Sequence, residues 1–150
     1  MSQTNFDFDL IVIGAGYGGF DAAKHAAVNG LKVGIIESRE MGGTCVNRGC
    51  VPSKALLAAS GKVRELADFN HLASFGIHAA PVRFERRKIA DHANNLVFNV
   101  RNNLTKTLER AGVTILRGIG RLEGDQKVGL REINGVDRIF SAQDVILATG

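Results

Sequence analysis

The sequence predicts an α/β fold in which a parallel sheet is flanked by helices, with a small antiparallel meander attached. Three observations carry that expectation. The apolar run "FDLIVIG" (residues 8–14) passes straight into a glycine cluster, "GAGYGG" (14–19). An alanine-rich stretch, "FDAAKHAAVNG" (20–30), and a second apolar run, "LKVGIIE" (31–37), complete a strand-helix-strand unit, whose two strands must run parallel. Two more apolar runs, "VTILRG" (113–118) and "DVILATG" (144–150), bracket a segment of alternating polarity at about 119–142.

Taken in order, residues 8–14 lack alternation, as a strand buried on both faces should. The alanines after Gly19 favour helix, and Gly30 supplies a stop. The run at 31–37 is a second buried strand. "ALLAASGKVRELADF" (55–69) has helical periodicity, and "NHLASFGIHAAP" (70–81) reads as a connection. Residues 84–111 predict a long helix, because Ile89, Leu96, Val100, Leu104 and Leu108 recur three, four or seven residues apart. Gly112 ends it. The turn signals Glu123-Gly124-Asp125 and Asn134-Gly135 divide the alternating segment into two or three antiparallel strands. The last apolar run enters a glycine turn at Gly150. In doubly wound sheets the chain beyond a strand's carboxyl end contacts the ligand. The chain is therefore expected to be part of a longer protein.

Composition narrows the function classes. Hydrophobic residues make up 45% and charged residues 23%, which suits a globular core and excludes disorder. The net charge of +4 comes largely from residues 83–121, where a solvated helix face accounts for it. Without tryptophan, and with few other aromatics, base stacking on nucleic acid has little support. No apolar run reaches membrane-spanning length. The opening "MSQTNFDFD" is acidic and polar, unlike a secretory or transit signal, so a cytoplasmic location is expected.

Gly14, Gly16 and Gly19 form G-x-G-x-x-G between a strand and a helix, the context a dinucleotide site requires. The first glycine permits the tight turn, the second lets a pyrophosphate approach, and the third allows close helix packing. The helix N-terminus offers N–H groups and a positive dipole end to phosphates. Glu37 closes the second strand, where a carboxylate accepts ribose hydroxyls and repels a 2′-phosphate. That points to FAD or NAD rather than NADP.

The two cysteines, Cys45 and Cys50, lie in "GGTCVNRGCVPSK" (42–54). A structural disulfide would stabilise by only about 2 kcal/mol across so short a loop. Zinc would find at most half a site, since none of His25, His71, His78 and His92 completes one. Two unrelated buried thiols are a third reading. The fourth is a redox-active dithiol, with a helix starting near Cys45 and lowering that thiol's pKa, and with Cys50 lying deeper. Lys54 then shares a helix face with Cys50, and Gly42 and Gly43 leave room for a ring system.

The stretch resembles the active-site signature of the class I flavoprotein disulfide reductases. The resemblance covers the whole chain: "IVIGAGYGG", "IIE", the cysteine stretch, "RGIGRLEG" and "VILATG" stand in that family's order. Ser53 sits where the glutathione-reducing members usually carry lysine, so Pro52-Ser53-Lys54 is closer to the branch that oxidises dihydrolipoamide. Arg48 replaces a commoner valine, and "NRGCVPSKALLAAS" is most similar to the cyanobacterial and plastid type.

The resemblance implies a Rossmann-like FAD-binding domain, of which residues 1–150 are the N-terminal part, with the NAD-binding and dimerisation domains outside this chain. It implies Cys45 as the interchange thiol, Cys50 facing the flavin, and Lys54 near the flavin's N5 edge. It also implies FAD contacts at Gly14, Gly16, Gly19, Glu37, Gly43, Thr44, Gly118, Thr149 and Gly150. Electrons would pass from dihydrolipoamide through the cysteine pair and FAD to NAD⁺. The partners would be lipoyl domains of 2-oxo acid dehydrogenase complexes, and the complete enzyme a homodimer. The family's catalytic His-Glu pair comes from the partner's dimer domain, so the four histidines here are read as surface or helix residues. A mercuric or glutathione-type reductase, or a non-catalytic flavin-binding fragment, are the alternatives.

Overall fold

The computed structural model describes residues 6–150. The first residues of the polar opening on which the cytoplasmic expectation rests, 1–5, lie outside them.

Four strands form a parallel sheet in the order β3-β2-β1-β5: β1 is Phe8–Ile13, β2 Val33–Glu37, β3 Thr114–Gly124 and β5 Asp137–Leu147. The pairing brings Leu10 opposite Val33 and Leu10 opposite Asp144. β4, Lys127–Glu132, bridges the long strands β3 and β5 on antiparallel partners. β3 pairs with β2 over 114–117 and with β4 from Gly118 onward. β5 pairs with β4 over 137–141 and with β1 from Ala142. The hydrogen-bonded ring therefore closes through two sheets that share their outer strands. The sequence anticipates separate meander strands at 119–142; instead two of them are continuations of the parallel strands.

Both faces of β1 are buried, which explains its unbroken apolar run. Leu10 and Val12 join Phe20, Ala23 and Ala26 of α1 (Tyr17–Val28), together with Leu108 and Val113. Ile11 and Ile13 join Leu116, Val128 and Leu130 beneath the meander. The two layers meet closely at Gly120, where a Cβ would stand 3.0 Å from Ile13 Cγ2 and 3.1 Å from Ile36 Cδ1. Ile11 is fully buried, and a side chain of that size contributes about 1.5–3 kcal/mol by leaving water.

Between β2 and β3 run α2 (Gly43–Arg48), α3 (Cys50–Ala67), α4 (Phe69–Ser74) and α5 (Arg86–Arg110). α4 corrects the connection expected at 70–81. Asp68 caps it by accepting the His71 N–H at 3.2 Å, as N-cap carboxylates do. Gly76 closes it: Ile77 N–H donates to Leu72 O and Gly76 N–H to Ala73 O. Gly30 closes α1 and Gly112 closes α5 with the same paired bonds, the Schellman arrangement that glycine's positive φ permits. α5 starts two residues later than the periodicity implies, at Arg86. Among the described residues, no helix is long and apolar enough to cross a membrane.

Candidate functional site

The site forms where four chain ends converge at the carboxyl edge of the parallel sheet. The strand order places β2 and β5 on opposite sides of β1. This is a topological switch point, the position at which doubly wound sheets open a crevice.

The glycine loop is built as its spacing predicts. Gly14 has φ +104, and a Cβ there would stand 2.6 Å from the Ala148 carbonyl carbon. This closeness lets Ala148 N–H donate to Ile13 O at 2.8 Å, joining the end of β5 to the loop. Gly16 is the N-cap of α1, and a Cβ on it would meet nothing within 4 Å. Gly19 is buried inside the first turn of α1; a Cβ would overlap the Gly14 carbonyl oxygen. Gly19 is thus a packing residue beneath the loop.

Glu37 reaches across from β2. Its Oε2 accepts the Ala15 N–H and its Oε1 the Arg39 N–H, both at 2.8 Å. The carboxylate therefore braces the glycine loop with the same oxygens that sequence reasoning assigns to a ribose. Each oxygen retains acceptor capacity. From the third side, Gly42 N–H donates to Ala15 O at 2.8 Å, and Gly42 forms a parallel bridge with Gly16. Gly42 and Gly43 both have positive φ, at +93 and +60, and a Cβ on Gly43 would stand 3.0 Å from Gly16 Cα. The cysteine stretch thus docks on the glycine loop through backbone contacts that glycines at 42, 43 and 16 permit.

These segments enclose a hollow of about 490 Å³ lined by Gly14, Gly16, Glu37, Gly43, Thr44, Thr149 and Gly150 among others. Gly118 lies in a smaller adjoining hollow, which it shares with Gly14, Glu37 and Thr149. A Cβ on Gly118 would overlap the Arg131 carbonyl oxygen, so this glycine also marks the point where β3 passes from one sheet to the other. Ser38, Arg39, Glu40 and Arg48 line the larger hollow too. Sequence reasoning missed them as a group, and an arginine in an otherwise familiar signature was their one signal.

Cys45 and Cys50 are disulfide-bonded, with Cα atoms 4.8 Å apart. Cys45 is the third residue of α2, and Cys50 is the first of α3. Gly49 is the joint between the helices, at φ −129 and ψ −108. A Cβ on it would stand 3.1 Å from Thr44 O and 3.4 Å from Cys45 Cα. Its lack of a side chain lets Cys50 return to Cys45. The expected helix start near Cys45 holds for α2, but the long helix begins at Cys50. Cys45 is partly buried and Cys50 exposed, the reverse of the expected order of depth. The reason is the break at Gly49, after which α3 runs over α5 rather than into the sheet. Lys54 is exposed on α3, one turn after Cys50, and borders neither hollow. His25, His71, His78 and His92 are all exposed. Among the described residues, no cluster of three or more His, Cys, Asp or Glu side chains could hold a metal ion.

The molecule thus joins a disulfide to a glycine-lined hollow at the switch point of a doubly wound sheet, the position at which such sheets take their ligands. The family comparison names the class: residues 8–150 match the pyridine nucleotide-disulphide oxidoreductase model, and the chain belongs to that family. It is 51% identical over 146 residues to "Dihydrolipoyl dehydrogenase 2, chloroplastic" of Arabidopsis thaliana, covering 97% of this chain and 25% of that protein. It is 52% identical over 150 residues to "Dihydrolipoyl dehydrogenase" of Synechocystis sp., covering 100% of this chain and 31% of the relative. A "Dihydrolipoyl dehydrogenase" of Chlamydia muridarum is 40% identical over 97% of the chain and 30% of its own length. The chain thus spans between a quarter and a third of these relatives.

Proposed function

We propose that the chain is the N-terminal part of the FAD-binding domain of a dihydrolipoamide dehydrogenase. The observation that carries the reading is the Cys45–Cys50 disulfide on the joint between α2 and α3, with Gly43 and Thr44 of the same α2 lining the hollow. The relatives' names supply the substrate class.

The hollow fits FAD on its own terms. Gly16 faces open space, as an approaching diphosphate needs, and α1 starts beside it with its positive dipole end. Gly14, Gly16, Glu37, Gly43, Thr44, Thr149 and Gly150 are the residues proposed to hold FAD, with Gly118 beside them and Gly19 supporting the loop from below. Lys54 is proposed to lie toward the flavin. When bound, FAD supplies a two-electron relay between a dithiol and NAD⁺.

The chain's own step is thiol–disulfide exchange. A dihydrolipoamide thiolate attacks the Cys45 sulfur, and the Cys45–Cys50 bond breaks with Cys50 leaving as a thiolate. The second substrate thiol, having lost its proton, displaces Cys45. Lipoamide leaves as a cyclic disulfide, and the cysteine pair has gained two electrons. A thiolate on Cys50 at the first position of α3 is favoured by that helix's dipole. The lipoyl domains of 2-oxo acid dehydrogenase complexes are the proposed partners, and a cytoplasmic homodimer, with NAD held by further domains, the proposed context.

Cys45→Ser in the full-length protein tests this. Lipoamide-dependent NAD⁺ reduction is expected to fall below detection while FAD remains bound at parental stoichiometry. Full turnover in the variant would overturn the assignment.

A further inference from the structure

The Glu40–Arg48 pair has no part in the exchange step. Arg48 ends α2, and its guanidinium reaches back to Glu40 in the loop that follows β2. Nη1 donates to Oε2 and Nη2 to Oε1, each at 3.1 Å. This is the two-pronged geometry in which a guanidinium holds a carboxylate most rigidly. The neighbouring Asn47 Nδ2 donates to Met41 O at 3.0 Å and Gly43 O at 2.9 Å. Both side chains therefore fold the end of α2 onto the loop that leads into it. From the other side, Arg117 of β3 donates to Arg39 O at 3.2 Å.

That loop is a wall of the larger hollow, which Ser38, Arg39 and Glu40 all line. Arg48 lines the same hollow and is followed directly by Gly49 and Cys50. One ion pair thus connects the wall of the hollow with the joint that carries the disulfide. The side chains are 57% and 36% exposed, and a pair so exposed adds little to overall stability. Its consequence is geometric. The side-chain hydrogen bonds from Arg48 hold the Glu40 carboxyl below its ordinary range.

We infer that Glu40 and Arg48 are positioning residues whose ion pair couples the cofactor hollow to the disulfide joint, so that its loss loosens both. The cofactor half of this inference rests on the FAD reading above; the disulfide half does not.

The test uses the full-length protein with Arg48→Val, Glu40→Gln and the double exchange Glu40→Arg/Arg48→Glu. One readout is the FAD dissociation constant from flavin fluorescence. The other is the rate at which dithiothreitol reduces Cys45–Cys50 in cofactor-free protein, followed by alkylation and mass. Each single variant is expected to weaken FAD binding and to speed reduction by about three- to tenfold, and the exchange to bring both back within about twofold of the parent. Parental values for either readout in both single variants would overturn the coupling. So would changes that the exchange does not rescue, since a merely structural role predicts those. A parent that binds no FAD would refute the functional reading instead, and the reduction rates and their rescue would then decide this inference alone.

Discussion

Gly16 and Gly19 stand three residues apart and carry different duties. A methyl at Gly19 would overlap the Gly14 carbonyl oxygen and press within 3.2 Å of Val12 Cγ1. Gly19→Ala is therefore expected to destabilise the protein by about 1–3 kcal/mol, the usual cost of overpacking, as a lowered urea midpoint. A methyl at Gly16 meets no neighbour, and its φ of −64 suits alanine. Gly16→Ala is expected to leave the midpoint unchanged and to weaken FAD binding by roughly tenfold, equivalent to about 1.4 kcal/mol. Equal effects of the two substitutions on stability would contradict this division. The glycines were legible in the sequence because their roles follow from local backbone geometry. The Glu40–Arg48 pair was not, because it depends on how the 38–42 loop folds back on α2. Depth was misjudged at Cys50 for a similar reason: no pattern in the sequence announces the break at Gly49.

Elements declared themselves through their stops as well as their periodicity. Gly30 and Gly112 were readable because each follows a long run of helix-forming residues. Gly76 makes the same paired bonds, but α4 has only six residues. So short a helix lacks periodicity, and its signal was the Asp68 cap alone. The long strands β3 and β5 were cut in two by their pattern, since burial changes where each passes between sheets. Gly120 holds the two layers together at close range. Gly120→Val is expected to force the meander away from Ile13 and Ile36, lowering stability by about 1–3 kcal/mol. Gly61 offers the opposite case within α3, where a Cβ meets nothing within 4 Å. Gly61→Ala is expected to raise stability by about 0.5–1 kcal/mol, as a helix-interior glycine replaced by alanine should. Thermal unfolding of the two variants beside the parent reads both signs.

At the scale of the whole molecule, surface carboxylates tie its outer parts together. Asp7 accepts the Ser141 N–H and hydroxyl at 2.8 and 2.9 Å, fastening the start of β1 to β5. Asp137 meets Arg131 across the meander at 3.0 Å, and Glu40 meets Arg48. These bonds hold all three carboxyls below their ordinary values, 3.8 for the aspartates and 4.5 for Glu40. The folded pKa being the lower one, the unfolded chain takes up protons first as the medium acidifies. The stability these groups contribute is therefore complete above the ordinary values and is lost as pH falls through them toward the folded ones. The thermal midpoint is expected to stay level from neutral pH down to about 5 and to decline below it, modestly, because the groups are exposed. A midpoint that rises on acidification from 5 to 3 would contradict the assignment. The parallel strands and the glycine loop between the first two were legible from the β-α-β unit; the sheet order was not, since nothing in the sequence says that β5 pairs with β1 on the side away from β2, and it is this pairing that makes the switch point and its hollow.

The measurement that tests the central claim most directly is anaerobic addition of one equivalent of dihydrolipoamide to the full-length protein. Alkylation and peptide mass analysis then follow. The account predicts that Cys45 and Cys50 become alkylated together, that lipoamide forms in equal amount, and that Cys45→Ser protein forms none. A cysteine pair that stays disulfide-bonded while dihydrolipoamide is oxidised would show that electrons enter by another route, and would contradict it.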